Sequence, residues 1–333
     1  MVEKITFSEL TARIAKGELK KNEIASHFEL DAANSTTFRP RFRVNTEVVD
    51  VTGVEGAAQA SGHALALDAE RQVQPKALAP QAATAAAAAA VAVILAEGDS
   101  WFSHPLVKTP IHVLQDSGYN IVNLAKAGDT LEGMLTKRQY APFLRAGGVS
   151  HFLFSGGGND VLGELRGLLN QISFSHTDPN NPAHVAFYVK PDFGAVLTLL
   201  RARYVRLIDD VRSISPGTRL MLNGYAYARA VGHGAFIGDD FEFLGFDLTH
   251  QPEHVQLAWA IIRSMVDRFN VMLKNLAANT SSVSYQDLRP VVSQTDPLDW
   301  FDAELHPSRR AAKRIAQVFA DELPEPAAAP VTV

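Results

Sequence analysis

The run Val91-Ala92-Val93-Ile94-Leu95-Ala96 passes directly into Glu97-Gly98-Asp99-Ser100-Trp101, and the reading of this junction decides the fold. An unbroken apolar run of that length suits a strand covered on both faces, as strands of a parallel sheet are. Similar runs follow at Asn120–Leu124, His151–Phe154, Arg219–Asn223 and Val283–Tyr285. Between them lie amphipathic stretches of helical length, among them Phe193–Ile214 and Val255–Ala277. Strands alternating with helices predict a mostly parallel, doubly wound α/β sheet. Ligands of such sheets bind beyond the carboxyl ends of the strands, so chemistry is sought in the loops that leave them.

Four of those loops carry candidate groups. The first strand delivers Ser100 beside a glycine turn, where a hydroxyl can stand exposed and the serine's own N–H can serve an anion. Gly-Asp-Ser alone is also a common turn tripeptide. The second strand leads to Gly128, where the absence of Cβ lets backbone approach a substrate oxygen, or simply makes a turn. The third leads to Gly156-Gly157-Gly158-Asn159, in which the Asn159 amide can donate to an oxyanion. This spacing is not Gly-x-Gly-x-x-Gly and no Gly-Lys-Ser/Thr follows, so a phosphate loop is a poor reading. After the fifth run comes Asp299-Trp300-Phe301-Asp302-Ala303-Glu304-Leu305-His306-Pro307, a loop histidine preceded by acids. Such a histidine suits a general base. Each signal is weak in isolation; their order along the chain, each after a strand, is what carries weight. Acyl transfer needs this set: a nucleophilic hydroxyl, a base, an acid that orients the base, and donors for the oxyanion.

The ordered set resembles the SGNH hydrolase superfamily, the GDSL-like esterases and lipases, over about residues 91–320. The resemblance implies a three-layer α/β/α sandwich around a five-stranded, mostly parallel, flavodoxin-like sheet. It implies Ser100 as nucleophile, His306 as base, and Ser100, Gly128 and Asn159 as the oxyanion hole, with neither metal nor organic cofactor. Two positions depart from the pattern. Trp101 stands where leucine is usual, and Ala303 occupies the place of the acid, three residues before the histidine. Asp302 lies one residue too early and Glu304 one too late. Asp302 is the expected acid; Glu304 and Asp299 are the alternatives, and a backbone carbonyl would leave a Ser–His dyad. The implied activity is hydrolysis of a small-molecule carboxylic ester (a lipid, an acetylated sugar or a small ester). An acyltransferase on the same site, or a catalytically silent binding module of the same fold, are the other readings.

The rest of the chain sets limits. The chain has 333 residues with a net charge of −5, which gives no reason to expect nucleic acid. It contains no cysteine, which excludes disulfides, thiolate metal sites and cysteine catalysis. The start lacks the basic and apolar segments of a secretory signal, and the longest apolar run, roughly 82–96, is short of the ~20 residues of a membrane span. A soluble protein, cytoplasmic or exported by a non-classical route, is the expectation. Residues 1–75 read as a mixed, mainly helical appendage whose protein partner is unknown. Thr6 and Glu9 have capping-box spacing, Leu10 and Ile14 make an apolar stripe, Gly17 marks a stop, and a second helix is expected over 22–28. Phe38-Arg39-Pro40-Arg41-Phe42 reads as extended. An alanine-rich connector follows at 76–90, the hydrolase domain at 91–322 and a proline- and alanine-rich, disordered tail at 323–333. Phe187, Tyr188, Tyr225, Tyr227, Phe236, Phe241 and Phe243 fall in loops that either line a substrate site or pack against the sheet; His112 and His233 read as structural.

Overall fold

The computed structural model describes residues 4–35, 41–73 and 93–326. The alanine-rich connector, Val91 and Ala92 of the first apolar run, Phe38-Arg39-Pro40 and residues 327–333 lie outside the described residues.

The sequence before the connector forms strand β1 (Ile5–Thr6), helices α1 (Phe7–Lys16) and α2 (Lys21–His27), strands β2 (Phe28–Leu30), β3 (Phe42–Val44) and β4 (Val49–Asp50), and helix α3 (Glu55–Val73). The α1 cap is the one its sequence predicts. Thr6 accepts the N–H of Glu9 at 3.1 Å, and Gly17 ends the helix in the left-handed region. Beyond the expected helices there are two small sheets, β1 parallel to β4 and β2 antiparallel to β3. Leu10, Ile14, Ile24, Phe28, Phe42 and Val44 close a small core together with Leu106, which belongs to the following domain.

Strands β5 (Val93–Gly98), β6 (Ile121–Asn123), β7 (Val149–Ser155), β8 (Arg219–Asn223) and β9 (Val283–Gln286) form one parallel sheet in the order β6-β5-β7-β8-β9. They fall where the apolar runs predict. Alternation along the strands explains why both faces are covered. Val93, Leu95, Phe152, Phe154, Leu220 and Leu222 pack on one side, under the helices Asp192–Ile214 and Pro252–Ala278. Ile94, Ala96, Leu153 and Met221 pack on the other, under Pro110–Asp116 and Arg309–Ala320. The result is the expected three-layer α/β/α sandwich. Phe152 and Phe154 have no exposed surface, and truncating either to alanine would cost about 3–5 kcal/mol. Leu323 is buried in the second layer, so the packed domain runs past Glu322, where the tail was expected to begin. Among the described residues no helix is long and apolar enough to cross a membrane.

The strand order places the site. β5 is the first strand of the sheet in sequence, and its neighbours β6 and β7 lie on opposite sides of it. A crevice opens at such a switch point, at the carboxyl ends of the strands. The end of β5 is held close to β7: Gly98 pairs with Ser155, and a Cβ on Gly98 would lie 2.8 Å from the Ser155 carbonyl oxygen. Only glycine fits there.

Candidate active site

Ser100 projects from a tight turn built on Asp99. The Asp99 carbonyl accepts the N–H groups of Phe102 and Ser103, both at 3.1 Å, and its carboxylate accepts the Trp101 N–H at 3.0 Å. The same carboxylate accepts the Tyr225 hydroxyl, and Ser155 Oγ lies 3.4 Å away. Burial pushes the Asp99 carboxyl up to about 6, against the opposing effect of the Tyr225 hydroxyl and the Trp101 N–H. Asp99 thus fixes the serine turn from below.

The loop between β9 and the last helix supplies the partner. Its two ends are pinned: Phe301 N–H donates to the His306 carbonyl at 2.8 Å and Ser308 N–H to the Asp299 carbonyl at 2.7 Å. His306 Nε2 stands 2.9 Å from Ser100 Oγ, and its Nδ1 is hydrogen-bonded to Asp302 Oδ2. A neutral ring that donates from Nδ1 to Asp302 leaves Nε2 free to accept the serine hydroxyl. Asp302 Oδ1 accepts the backbone N–H groups of Glu304, Leu305 and His306 at 3.1, 2.8 and 3.1 Å. Burial alone would raise this carboxyl; the His306 ring and the backbone donors outweigh it and hold Asp302 well below the usual range.

The other two acids do different work. Glu304 is fully buried and accepts the N–H groups of Phe236 at 2.8 Å and Gly238 at 2.6 Å. Burial pushes it up to about 8 despite those donors. Asp299 accepts the Ser293 N–H at 2.9 Å and pairs with Arg314 at 2.5 Å. Neither has a hydrogen bond to His306; of the three acids, Asp302 alone meets its ring.

Asn159 lies at the start of the helix Gly158–Leu162 and faces the same pocket as Ser100. One N–H of its amide donates to the Asp129 carbonyl at 2.9 Å, which fixes the amide plane and leaves a second N–H. Gly128, next to Asp129, has φ 81°, a left-handed conformation that favours glycine. The hydrogen bond from Asn159 therefore joins the second and third loops. Tyr225 joins the first and third, since its hydroxyl donates to Asp99 and accepts the Gly158 N–H at 3.4 Å.

Beside Ser100 opens a pocket of about 770 Å³, including its part open to solvent. Its walls are Leu165, Phe193, Ile237, Ile262, Met265 and Phe269, with Asn159 and Tyr225 near the mouth of the sheet. Of the seven loop aromatics singled out in the sequence, only Tyr225 lines it. Tyr188, Phe236 and Phe241 are buried in the packing of the loops, Tyr227 bonds Asp267 at 2.7 Å, and Phe187 and Phe243 are exposed. His112 caps the helix that follows Thr109, with Thr109 Oγ1 at 2.7 Å from its Nδ1. His104, which no local sequence signal marks, lies with its ring centroid 4.5 Å from that of His306. Among the described residues no group of three or more His, Asp or Glu side chains is arranged to hold a metal ion.

The sequence profile of the family described as GDSL-like Lipase/Acylhydrolase matches residues 102–319. The chain belongs to this family, the SGNH hydrolases that its loops resemble. The matched segment opens just beyond Ser100 and includes Gly128, Asn159, Asp302 and His306. No curated protein matches the chain in sequence. Among solved structures, the lipase Lip_vut3 from a goat rumen metagenome is 14% identical with a TM-score of 0.46, covering 69% of this chain and 97% of its own. An extracellular lipase from Streptomyces rimosus is 17% identical with a TM-score of 0.45, covering 70% of this chain and 100% of its own. The Clostridium thermocellum family 3 carbohydrate esterase is 16% identical with a TM-score of 0.36, covering 69% and 94%.

Proposed function

We propose that this hydrolase cleaves carboxylic esters through an acyl-enzyme, with Ser100 as nucleophile and His306 as base. The observation that carries the reading is the chain of contacts from Ser100 Oγ through His306 to Asp302. In the first half-reaction, Ser100 Oγ bonds to the carbonyl carbon while its proton passes to His306 Nε2. The resulting imidazolium is stabilised by Asp302. The oxyanion receives the N–H groups of Ser100 and Gly128 and the second N–H of Asn159; loss of one such donor typically costs about 2.7–4 kcal/mol. His306 then gives its proton to the departing alkoxide. In the second half-reaction water attacks the acyl carbon, His306 takes its proton and returns it to Ser100 as the acid leaves. Ala303, which occupies the place of the family's acid, lies in the turn that brings Asp302 to His306.

The apolar walls of the pocket support an acyl group of several carbons, because each methylene moved from water into such a site contributes about 0.8 kcal/mol. The test is hydrolysis of p-nitrophenyl esters by the purified protein together with labelling by a fluorophosphonate. Ser100→Ala is expected to abolish both. Full esterase activity in that variant would overturn the assignment.

A further inference from the structure

The three helices and two small sheets before the connector meet the hydrolase domain at the segment that leaves the Ser100 turn. Leu106 of that segment is buried in the small N-terminal core, against Phe42 and its neighbours. Next to it lies a buried cluster of charge. Lys21 of α2 is paired with Glu70 of α3, and the other Glu70 oxygen lies 3.3 Å from His112 Nε2. Lys21 Nζ also donates to the backbone carbonyl of His104. Burying an ammonium is costly unless its donors are met, and here a carboxylate and a carbonyl meet them. The carbonyl chosen belongs to the residue whose ring touches the reacting histidine.

His104 is itself enclosed. Its ring lies edge-on to Phe42 of β3 at 5.7 Å and to Phe301 at 5.6 Å, and its Nδ1 accepts the Leu106 N–H at 3.2 Å. The remaining face meets His306, whose other neighbours in this layer include the edge of Phe236 at 5.5 Å. Asp302 and Ser100 fix the two nitrogens of His306, which leaves tilt about the line between them to be set by what packs on the ring faces.

We propose that residues 4–35 and 41–73 act as a buttress for the reacting histidine, with His104 as the positioning residue that carries their support to the face of His306. The Lys21–Glu70 pair holds the His104 backbone, Phe42 holds its ring, and the ring limits the tilt of His306. Burial, with the nearby His306 and Lys21, holds His104 well below the ordinary histidine range. It therefore stays neutral and does not compete for the proton that His306 carries. The inference rests on the Ser100–His306 reading above.

The experiment compares His104→Phe and His104→Asn in the full chain, with p-nitrophenyl butyrate as substrate and Ser100→Ala as control. Phenylalanine keeps the ring and loses the acceptor for the Leu106 N–H. Asparagine offers an acceptor and loses the ring. A merely structural role would make the phenylalanine variant the worse enzyme. The buttress predicts the reverse: H104F has a lowered Tm with kcat within about 3-fold, and H104N loses about 10-fold in kcat with KM within about 2-fold. Lys21→Met/Glu70→Gln removes both charges together, so no unpaired carboxylate is left buried. It is expected to lower kcat about 3-fold alone and to add nothing in the H104N background, since residues acting through one contact are not additive. H104N at wild-type kcat, H104F slower than H104N, or multiplying effects would each overturn the proposal. An active S100A would instead sink the underlying reading, whatever the His104 variants do.

Discussion

Asp302 reaches His306 Nδ1 from four residues upstream because Ala303, just after it, turns left-handed with φ 69°. The turn absorbs one extra residue and folds the backbone so that three successive N–H groups, of Glu304, Leu305 and His306, point at Asp302 Oδ1. One carboxylate thereby sets both the loop and the imidazole. Glu304, nearer in sequence, is turned away into the 236–238 backbone.

Asp302→Asn is expected to lower kcat by about 10²–10⁴, as loss of the orienting carboxylate does in serine triads, with a much smaller change in KM. Glu304→Gln is expected to lower kcat far less, because Glu304 has no hydrogen bond to His306; its one amide oxygen can keep either the Phe236 or the Gly238 N–H, so the cost falls mainly on stability. Steady-state kinetics on one short ester decides between them. A dead E304Q beside an active D302N would reverse the assignment of the acid.

Much of this was legible in the sequence. A strand covered on both faces must be apolar throughout, so the run ending at Ala96 and its four successors declare themselves, and four of the five lead into a loop that carries a candidate residue. Which acid meets His306 was harder to read, because that contact depends on one backbone dihedral at Ala303 that no side chain announces. Sequence spacing alone put Asp302 and Glu304 equally far from the expected position. The contacts of His104 with His306 and of Lys21 with the His104 carbonyl were not legible at all. They join residues distant in the chain through ring faces and a carbonyl, and neither leaves a periodic pattern. Tyr225 could be listed as a loop aromatic, but its role as the tie between Asp99 and Gly158 required the fold.

Ala303 itself can be tested. Glycine enters the left-handed region without the roughly 1–2 kcal/mol that a Cβ costs there, though it loses about 0.5–1 kcal/mol in chain entropy. Ala303→Gly should therefore leave Tm and kcat close to wild type. Ala303→Val, branched at Cβ, should lower stability by about 1–2 kcal/mol and slow kcat with it. Equal behaviour of the two variants in urea unfolding would mean that the turn is not under the constraint described.

Glu304 makes stability depend on pH in a definite sense. Its folded value, about 8, lies above the ordinary 4.5, so between those values the folded protein holds a proton that the unfolded chain has released. Its contribution is present below pH ~4.5 and declines as pH rises through about 8, at about 1.4 kcal/mol per unit of difference. Asp302 acts in the opposite sense: depressed when folded, it contributes above the ordinary aspartate value and is lost on acidification. Urea unfolding at pH 5 and pH 8.5 should show wild type losing more stability over that interval than E304Q. Parallel losses in the two proteins would assign the pH dependence elsewhere.

The pocket predicts which esters react best. Ile262 and Met265 lie on the helix Pro252–Ala278 and line the pocket beside Ser100. Each added methylene that enters this space should raise kcat/KM by about fourfold until the cavity is filled, the equivalent of about 0.8 kcal/mol. Met265→Trp places a bulky ring in that path. It should cut kcat/KM for p-nitrophenyl octanoate by about 10-fold or more while leaving the acetate within about 3-fold, because an acetyl group needs far less of the pocket than an octanoyl chain. The ratio of octanoate to acetate, measured in both proteins, separates lost chain binding from general damage. A ratio unchanged by M265W would mean that the acyl chain lies elsewhere.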